Sequence, residues 1–255
     1  TTHSNHFLDL TLDMNHISIY TFKKNESMYE IENVSSEENN ILELIGVRNS
    51  SVFLSNCTIW VEGITDRLYI KKYLDLYQEE QINEGMIKSK YLEDIHFSFG
   101  EYGGNNITHW SFLETEGEEG QERINVERVC SKLFLVTDND GIGDLKKKKH
   151  ERFEKLKENL KERYYCLQAR EIENLLSKGI VKKYIQNREK GNANLDFKKF
   201  DRDEKFSTAK IGAFIEKKVA GLKYKYSDSG TIMNKVEFCK KTIELINNYS
   251  DLSDE

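Results

Sequence analysis

Short apolar runs alternate with amphipathic stretches from residue 57 onward, and each run closes on a glycine, an acid or a polar turn. Cys57-Thr58-Ile59-Trp60-Val61 reads as a buried strand. Thr65 or Asp66 can then cap a helix whose apolar face is Leu68, Tyr69, Tyr73, Leu76 and Tyr77. Ile95-His96-Phe97-Ser98-Phe99 predicts a second strand ended by Gly100, and Tyr102-Gly103-Gly104-Asn105-Asn106 a tight loop before Ile107 to Leu113. Leu133-Phe134-Leu135-Val136 is a third strand, followed by a charged helix from Leu145 to Arg163 with Leu145, Phe153, Leu156 and Leu160 as its sparse inner face. Tyr164-Tyr165-Cys166-Leu167 is a fourth. Strands separated by helices predict βαβ units, hence an α/β fold with a mainly parallel sheet.

The flanks read differently. His16 to Phe22 alternates, and Ser27-Met28-Tyr29-Glu30-Ile31 can pair with it as a hairpin. Residues 1–34 cannot bury a core alone and are expected to end a larger domain, with 35–50 as connector. Residues 51–190 form the expected core. Residues 191–255 form a helical extension, Lys210 to Ala220 its clearest helix, ending in a polar tail. The stretch from Glu114 to Glu122 is acidic and predicts a loop.

No apolar stretch in the 255 residues has the length of a membrane span, and no signal-peptide pattern opens the chain. Cys57, Cys130, Cys166 and Cys239 are scattered, with no CxxC pair, which disfavours a zinc knuckle or disulfide framework and predicts a cytoplasmic protein. The net charge of −6 hides an asymmetry: residues 1–140 carry 11 Lys and Arg against 25 Asp and Glu, and residues 141–255 carry 27 against 19. An acidic half suited to cations therefore precedes a basic half able to face phosphates, although two solvated surfaces of opposite sign would give the same counts. Proline is absent, for which we have no functional account.

Two acidic clusters carry the candidate chemistry. Glu62 and Asp66 follow the first strand, in Val61-Glu62-Gly63-Ile64-Thr65-Asp66. Asp138 and Asp140 follow the third, in Thr137-Asp138-Asn139-Asp140-Gly141. Ends of parallel strands that point the same way converge on one crevice. Carboxylates gathered there make a hard-oxygen site for Mg²⁺ or Mn²⁺. Asp138 and Asp140, two residues apart on an extended segment, can reach one cation. The structural alternatives are helix capping for Glu62 and Asp66 and a loop-tip turn for Asp138 to Gly141. Lys146 and Lys147 open a run that could track phosphates or simply form a solvated helix face. Trp60 and Trp110 read as core. His6, His16, His96, His109 and His150 show no ligand spacing.

Strand-Glu-Gly, helix, then strand-Asp-x-Asp-Gly resembles the Toprim signature of topoisomerases, primases and several nucleases, with Glu62, Asp138 and Asp140 at its acidic positions. Asp66, the loop Gly103-Gly104-Asn105, the segment Arg170 to Asn174 and a late helix-opening Lys210 are similar to the branch found in overcoming-lysogenisation-defect (OLD) nucleases. Those fuse an ABC-type ATPase to a C-terminal Toprim domain. The resemblance implies a Rossmann-like Toprim domain and two-metal hydrolysis of DNA phosphodiesters. Glu62, Asp66, Asp138, Asp140 and Glu173 would hold Mg²⁺ or Mn²⁺. Arg170 would clamp phosphate or support Glu173, and Lys210 would neutralise charge on the scissile phosphate. His3, in Thr1-Thr2-His3-Ser4, would be the ATPase switch residue. ATP would then act only through an ATPase part that this chain lacks, since no GxxxxGK[ST] occurs. Further implied are homo-oligomers formed through that part, a role in antiphage defence, and a defence-system partner protein or nucleic acid. The rivals are a primase- or topoisomerase-type Toprim enzyme and a degenerate domain that binds nucleic acid or a partner without cutting.

Overall fold

The computed structural model describes residues 19–25, 28–34, 57–103, 110–111, 124–125, 132–139 and 147–252. Asp140, Lys146, His3, Gly104, Asn105 and the loop expected from Glu114 to Glu122 lie outside the described residues, as does the side chain of Lys147.

The first described element is the expected hairpin, β1 (Ile19–Asn25) paired antiparallel with β2 (Met28–Val34). The centre of the fold is a four-stranded sheet of β3 (Thr58–Val61), β4 (Ser98–Glu101), β7 (Leu133–Thr137) and β8 (Tyr164–Cys166). Its order is β4-β3-β7-β8 and every pairing is parallel. A separate short parallel pair joins β5 (Trp110–Ser111) to β6 (Ile124–Asn125).

Successive residues of a strand face opposite sides, and both sides of this sheet are covered. Trp60, Leu133 and Leu135 point to one face, where Leu156 and Leu160 of α2 (Lys147–Leu160) pack on them. Ile59, Val61 and Phe99 point to the other, against Ile70 and Leu74 of α1 (Ile64–Asn83). Covering on both faces explains why β3 reads as a continuous apolar run, while Phe134 of β7 and Tyr165 of β8 stay exposed. The result is a mixed α/β architecture with a mainly parallel sheet flanked by helices, consistent with a Rossmann-like fold.

The rest of the chain builds a helical layer on the outer side of α1. It comprises α3 (Lys178–Arg188), α4 (Lys198–Arg202), α5 (Ile211–Lys218), a two-residue hairpin of β9 (Ser227–Asp228) and β10 (Thr231–Ile232), and α6 (Lys235–Ile243). One hydrophobic cluster joins Tyr69 and Leu76 of α1 to Leu167, Ile172, Ile185, Phe200, Phe214 and Phe238, so this core continues across residue 190. The Tyr69 hydroxyl meets Thr242 Oγ1 at 2.8 Å, tying α1 to α6. Among the described residues no helix is long and apolar enough to cross a membrane.

Local departures from the sequence reading have physical causes. The strand expected at Ile95 begins only at Ser98. Glu93 is clamped by Arg67 (2.8 Å) and Lys71 (2.7 Å) of α1, and Asp94 takes a left-handed φ of 63°, so the chain turns there before it can extend. Gly100 does not end that strand but sits inside it, because a Cβ there would lie 2.7 Å from the Trp60 indole. The N-cap of α1 is Gly63, with Asp66 reaching back to its N–H (3.2 Å), rather than Thr65 or Asp66. Tyr77, expected on the buried face of α1, is 46% exposed.

Candidate active site

The strand order places the chain reversal between β3 and β7: from β3 the next paired strand, β4, lies on one side, and β7 and β8 lie on the other. Crevices at such switch points, beyond the carboxyl ends of the strands, are where open α/β sheets bind ligands. Each of the three adjacent strands β3, β7 and β8 delivers acids to this end of the sheet. Glu62 follows β3 directly and is exposed, while Asp66 lies buried in the first turn of α1. Asp138 follows β7 and is buried. Glu173 sits in a 3₁₀ turn (Ile172–Leu175) after β8 and is wholly buried.

Backbone contacts fix these positions. Tyr102 and Gly103, just past β4, donate N–H bonds to the Val61 carbonyl (3.0 Å) and the Glu62 carbonyl (2.7 Å). A Cβ on Gly103 would collide with that Glu62 carbonyl, so only glycine permits the approach. The Tyr102 hydroxyl reaches the Val136 carbonyl (3.3 Å), bracing β4 against β7. Asn139 Nδ2 donates to the Leu167 carbonyl (3.1 Å), so the segment after β7 is stitched to the end of β8. The turn carrying Glu173 is held by Asn174, whose Oδ1 accepts from Glu171 N–H (3.1 Å) and whose Nδ2 donates to the carbonyls of Phe206 (2.6 Å) and Ala209 (3.1 Å).

Packing acids this closely in a dry site penalises their charged forms. Burial, then the charges of Glu173 and Glu62, push Asp66 up to about 7. Burial, then Asp66, Glu173 and Glu62, push Asp138 up to about 9. Burial raises Glu173 as well, against the pull of Lys235. The same surroundings raise the Tyr102 hydroxyl, first by burial and then by Glu62, Asp66 and Asp138. Asp138 Oδ1 and both carboxylate oxygens of Glu173 are buried without a hydrogen-bond partner among the described residues. Buried oxygens normally find partners, so these are the positions at which a cation or a proton would be held.

The donor set fits Mg²⁺ or Mn²⁺. It is all oxygen and it includes orphaned buried oxygens. Among the described residues no three His, Cys, Asp or Glu side chains already converge into a finished cage.

Of the residues singled out from sequence, Glu62, Asp66, Asp138 and Glu173 come together here. Arg170 begins the same segment as Glu173, and its Nε lies 4.0 Å from Glu171 Oε1. Lys210 is the N-cap of α5, as a helix-opening lysine, but its Nζ donates to the Ser229 carbonyl (3.2 Å) in the β9–β10 turn. The cation that does stand at the acids is Lys235, whose Nζ lies 3.2 Å from Glu171 Oε2 and 3.5 Å from Glu173 Oε2. Although burial acts against it, Glu173, Glu171 and Asp138 hold its ammonium above the usual lysine range. Sequence reasoning passed over Lys235, Glu171 and Tyr102. A lysine opening a late helix describes Lys235 as well as Lys210, and that was the available signal.

Comparison of the chain with protein-family models, with curated proteins and with solved structures returns no match.

Proposed function

We propose that this chain is a Mg²⁺- or Mn²⁺-dependent nuclease module of Toprim type, hydrolysing phosphodiester bonds of DNA. The observation that carries the reading is the mutual repulsion of the buried acids Asp66, Asp138 and Glu173, with unpaired oxygens on Asp138 and Glu173, at the switch point of a parallel sheet. A purely structural cluster of this kind would cost stability and return nothing. A cation site recovers that cost when it is filled.

Glu62, Asp66, Asp138 and Glu173 would hold the ions, with Asp140 as a further donor by sequence. The bound ions would supply an activated water and charge neutralisation at the phosphate. The chain's own residues do the rest. Asp138, raised to about 9, and in part Asp66, raised to about 7, would give up protons to a bound cation. Gly103 and Tyr102 keep the Glu62 backbone in register with β4. Lys235 faces the phosphate side with an ammonium that cannot titrate away near neutrality, and so opposes negative charge building on the scissile group. In this reading the wider protein is an OLD-type ATPase–nuclease acting in antiphage defence. Its ATPase part, with His3 at its switch position, would mediate oligomerisation and ATP dependence.

The test is nicking of supercoiled plasmid in Mg²⁺ or Mn²⁺ by this chain and by the protein carrying its ATPase part with ATP, each compared with Asp138→Ala. Metal-dependent cleavage lost in the variant supports the reading. Metal binding without cleavage of plasmid by either form refutes the nuclease in favour of a binding module.

A further inference from the structure

Glu171 is the acid beside the cluster with no evident reason to be there. It precedes the turn that carries Glu173, and only 4% of it is exposed. Its N–H donates to Asn174 Oδ1 (3.1 Å) and its carbonyl accepts from the Asn174 N–H (2.9 Å), and Asn174 is itself pinned to the Phe206 and Ala209 carbonyls. The backbone that carries its carboxylate is therefore fixed before any ligand arrives. Lys235 comes from the opposite direction, at the first position of α6, after Asn234 in a left-handed φ of 53°. That helix is anchored by buried Phe238, Cys239 and Thr242. The ammonium ends between two carboxylates, nearer Glu171 (3.2 Å) than Glu173 (3.5 Å).

We propose that Glu171 is a positioning residue that holds the Lys235 ammonium off Glu173, keeping Glu173 available to a divalent cation while the lysine still faces the site. This rests on the metal-site reading above. A lysine is a compact charge on a flexible stem, and it settles where the attraction is greatest. With Glu171 present, the attraction is divided: Lys235 stays 3.5 Å from Glu173 Oε2, and neither Glu173 oxygen has a hydrogen-bond partner among the described residues. Without Glu171, the ammonium has Glu173 as its remaining close carboxylate and closes to full contact, becoming an internal competitor for the metal ligand. Arg170 cannot substitute for Lys235 as the partner of Glu171, because its Nε stands 4.0 Å from the other oxygen, Oε1.

The test is Mn²⁺ affinity by isothermal titration of four proteins: wild type, Glu171→Gln, Lys235→Met and the double variant. Residues that orient metal ligands typically change affinity by about 10- to 100-fold, so Glu171→Gln is expected to weaken Mn²⁺ binding about tenfold. In the Lys235→Met background the same change is expected to cost about twofold, because the competitor is gone. Equal weakening in both backgrounds, the signature of simple charge removal, overturns the proposal, as does no weakening in either. A wild-type protein that binds no Mn²⁺ overturns the metal reading itself. Gln keeps the size of the side chain, and the Asn174 N–H donates to the Glu171 backbone carbonyl, which the change leaves in place. Should that variant nonetheless unfold, Glu171→Asp makes the same comparison with the charge drawn back by one carbon.

Discussion

Replacing Asp138 by Asn should make the metal-free protein more stable while abolishing its response to metal. Asp138 is 8% exposed, and its carboxyl is raised from an ordinary 3.8 to about 9 by burial and by three neighbouring acids. In the unfolded chain that carboxyl ionises normally, so at about pH 7.5 unfolding releases a proton that the folded site retains. Each unit between 3.8 and the working pH is worth about 1.36 kcal/mol, which bounds the effect near 5 kcal/mol. Sharing of the load with Asp66 and dielectric relaxation of the site reduce this to about 2–3 kcal/mol. Asn removes the titration and adds an amide that can donate to the neighbouring carboxylates. At about 2–4 °C per kcal/mol for a chain of this size, Tm should rise by roughly 5–10 °C. The sign follows the linkage: the folded value is raised, so the wild type loses stability as pH climbs from about 4 toward 9, and the advantage of Asn grows across that window and vanishes below it. Scanning calorimetry across that range, with and without Mn²⁺, measures both effects. Mn²⁺ at about a hundred times its Kd should stabilise the wild type by about 2.7 kcal/mol and leave the variant unmoved. A variant less stable than wild type without metal, or equally stabilised by Mn²⁺, would refute the reasoning.

Three further outcomes are expected. Mn²⁺ binding should strengthen as pH rises from about 6 to 9 and release protons, because the ion displaces those held by Asp66 and Asp138; titration in two buffers of different ionisation enthalpy measures the release, and a pH-independent affinity contradicts it. Gly103→Ala forces a methyl into the Glu62 carbonyl and should cost about 1–3 kcal/mol in urea denaturation while weakening Mn²⁺ binding; unchanged affinity would show that the β4 loop does not position Glu62. Leu160→Ala, which empties the contact of α2 with Trp60, Leu133 and Leu135, should cost about 2–5 kcal/mol with little effect on Mn²⁺ affinity in the protein that remains folded.

What was legible in the sequence follows from how far apart the interacting residues lie. β8, with Tyr165 exposed, reads as a strand from its β-rich residues. β3 is instead covered on both faces and β7 buries Leu133, Leu135 and Thr137, so burial writes both as apolar runs, and the acids that follow them need only the strand end to be placed. Glu62 and Asp138 were readable for that reason. The start of β4 was not, because it depends on Glu93 meeting Arg67 and Lys71 across a turn, a long-range ion pair with no local pattern. Gly100 misled because a glycine that ends a strand and a glycine crowded by a neighbouring indole look identical in one dimension. The site cation shows the same limit more sharply. Lys235 lies more than sixty residues from Glu173 and reaches it because α6 is packed over α1, through buried Phe238 and Cys239 and the Tyr69–Thr242 bond. Lys210 and Lys235 both open helices, and their local sequences contain nothing that ranks one over the other. The difference is tertiary: one amine finds a backbone carbonyl at a hairpin turn, the other two buried carboxylates. A parallel sheet thus supplies its acids by local rule, at strand ends. The counter-charge depends on helical layers folding back over the sheet, and so the basic half of such a site must be read from structure.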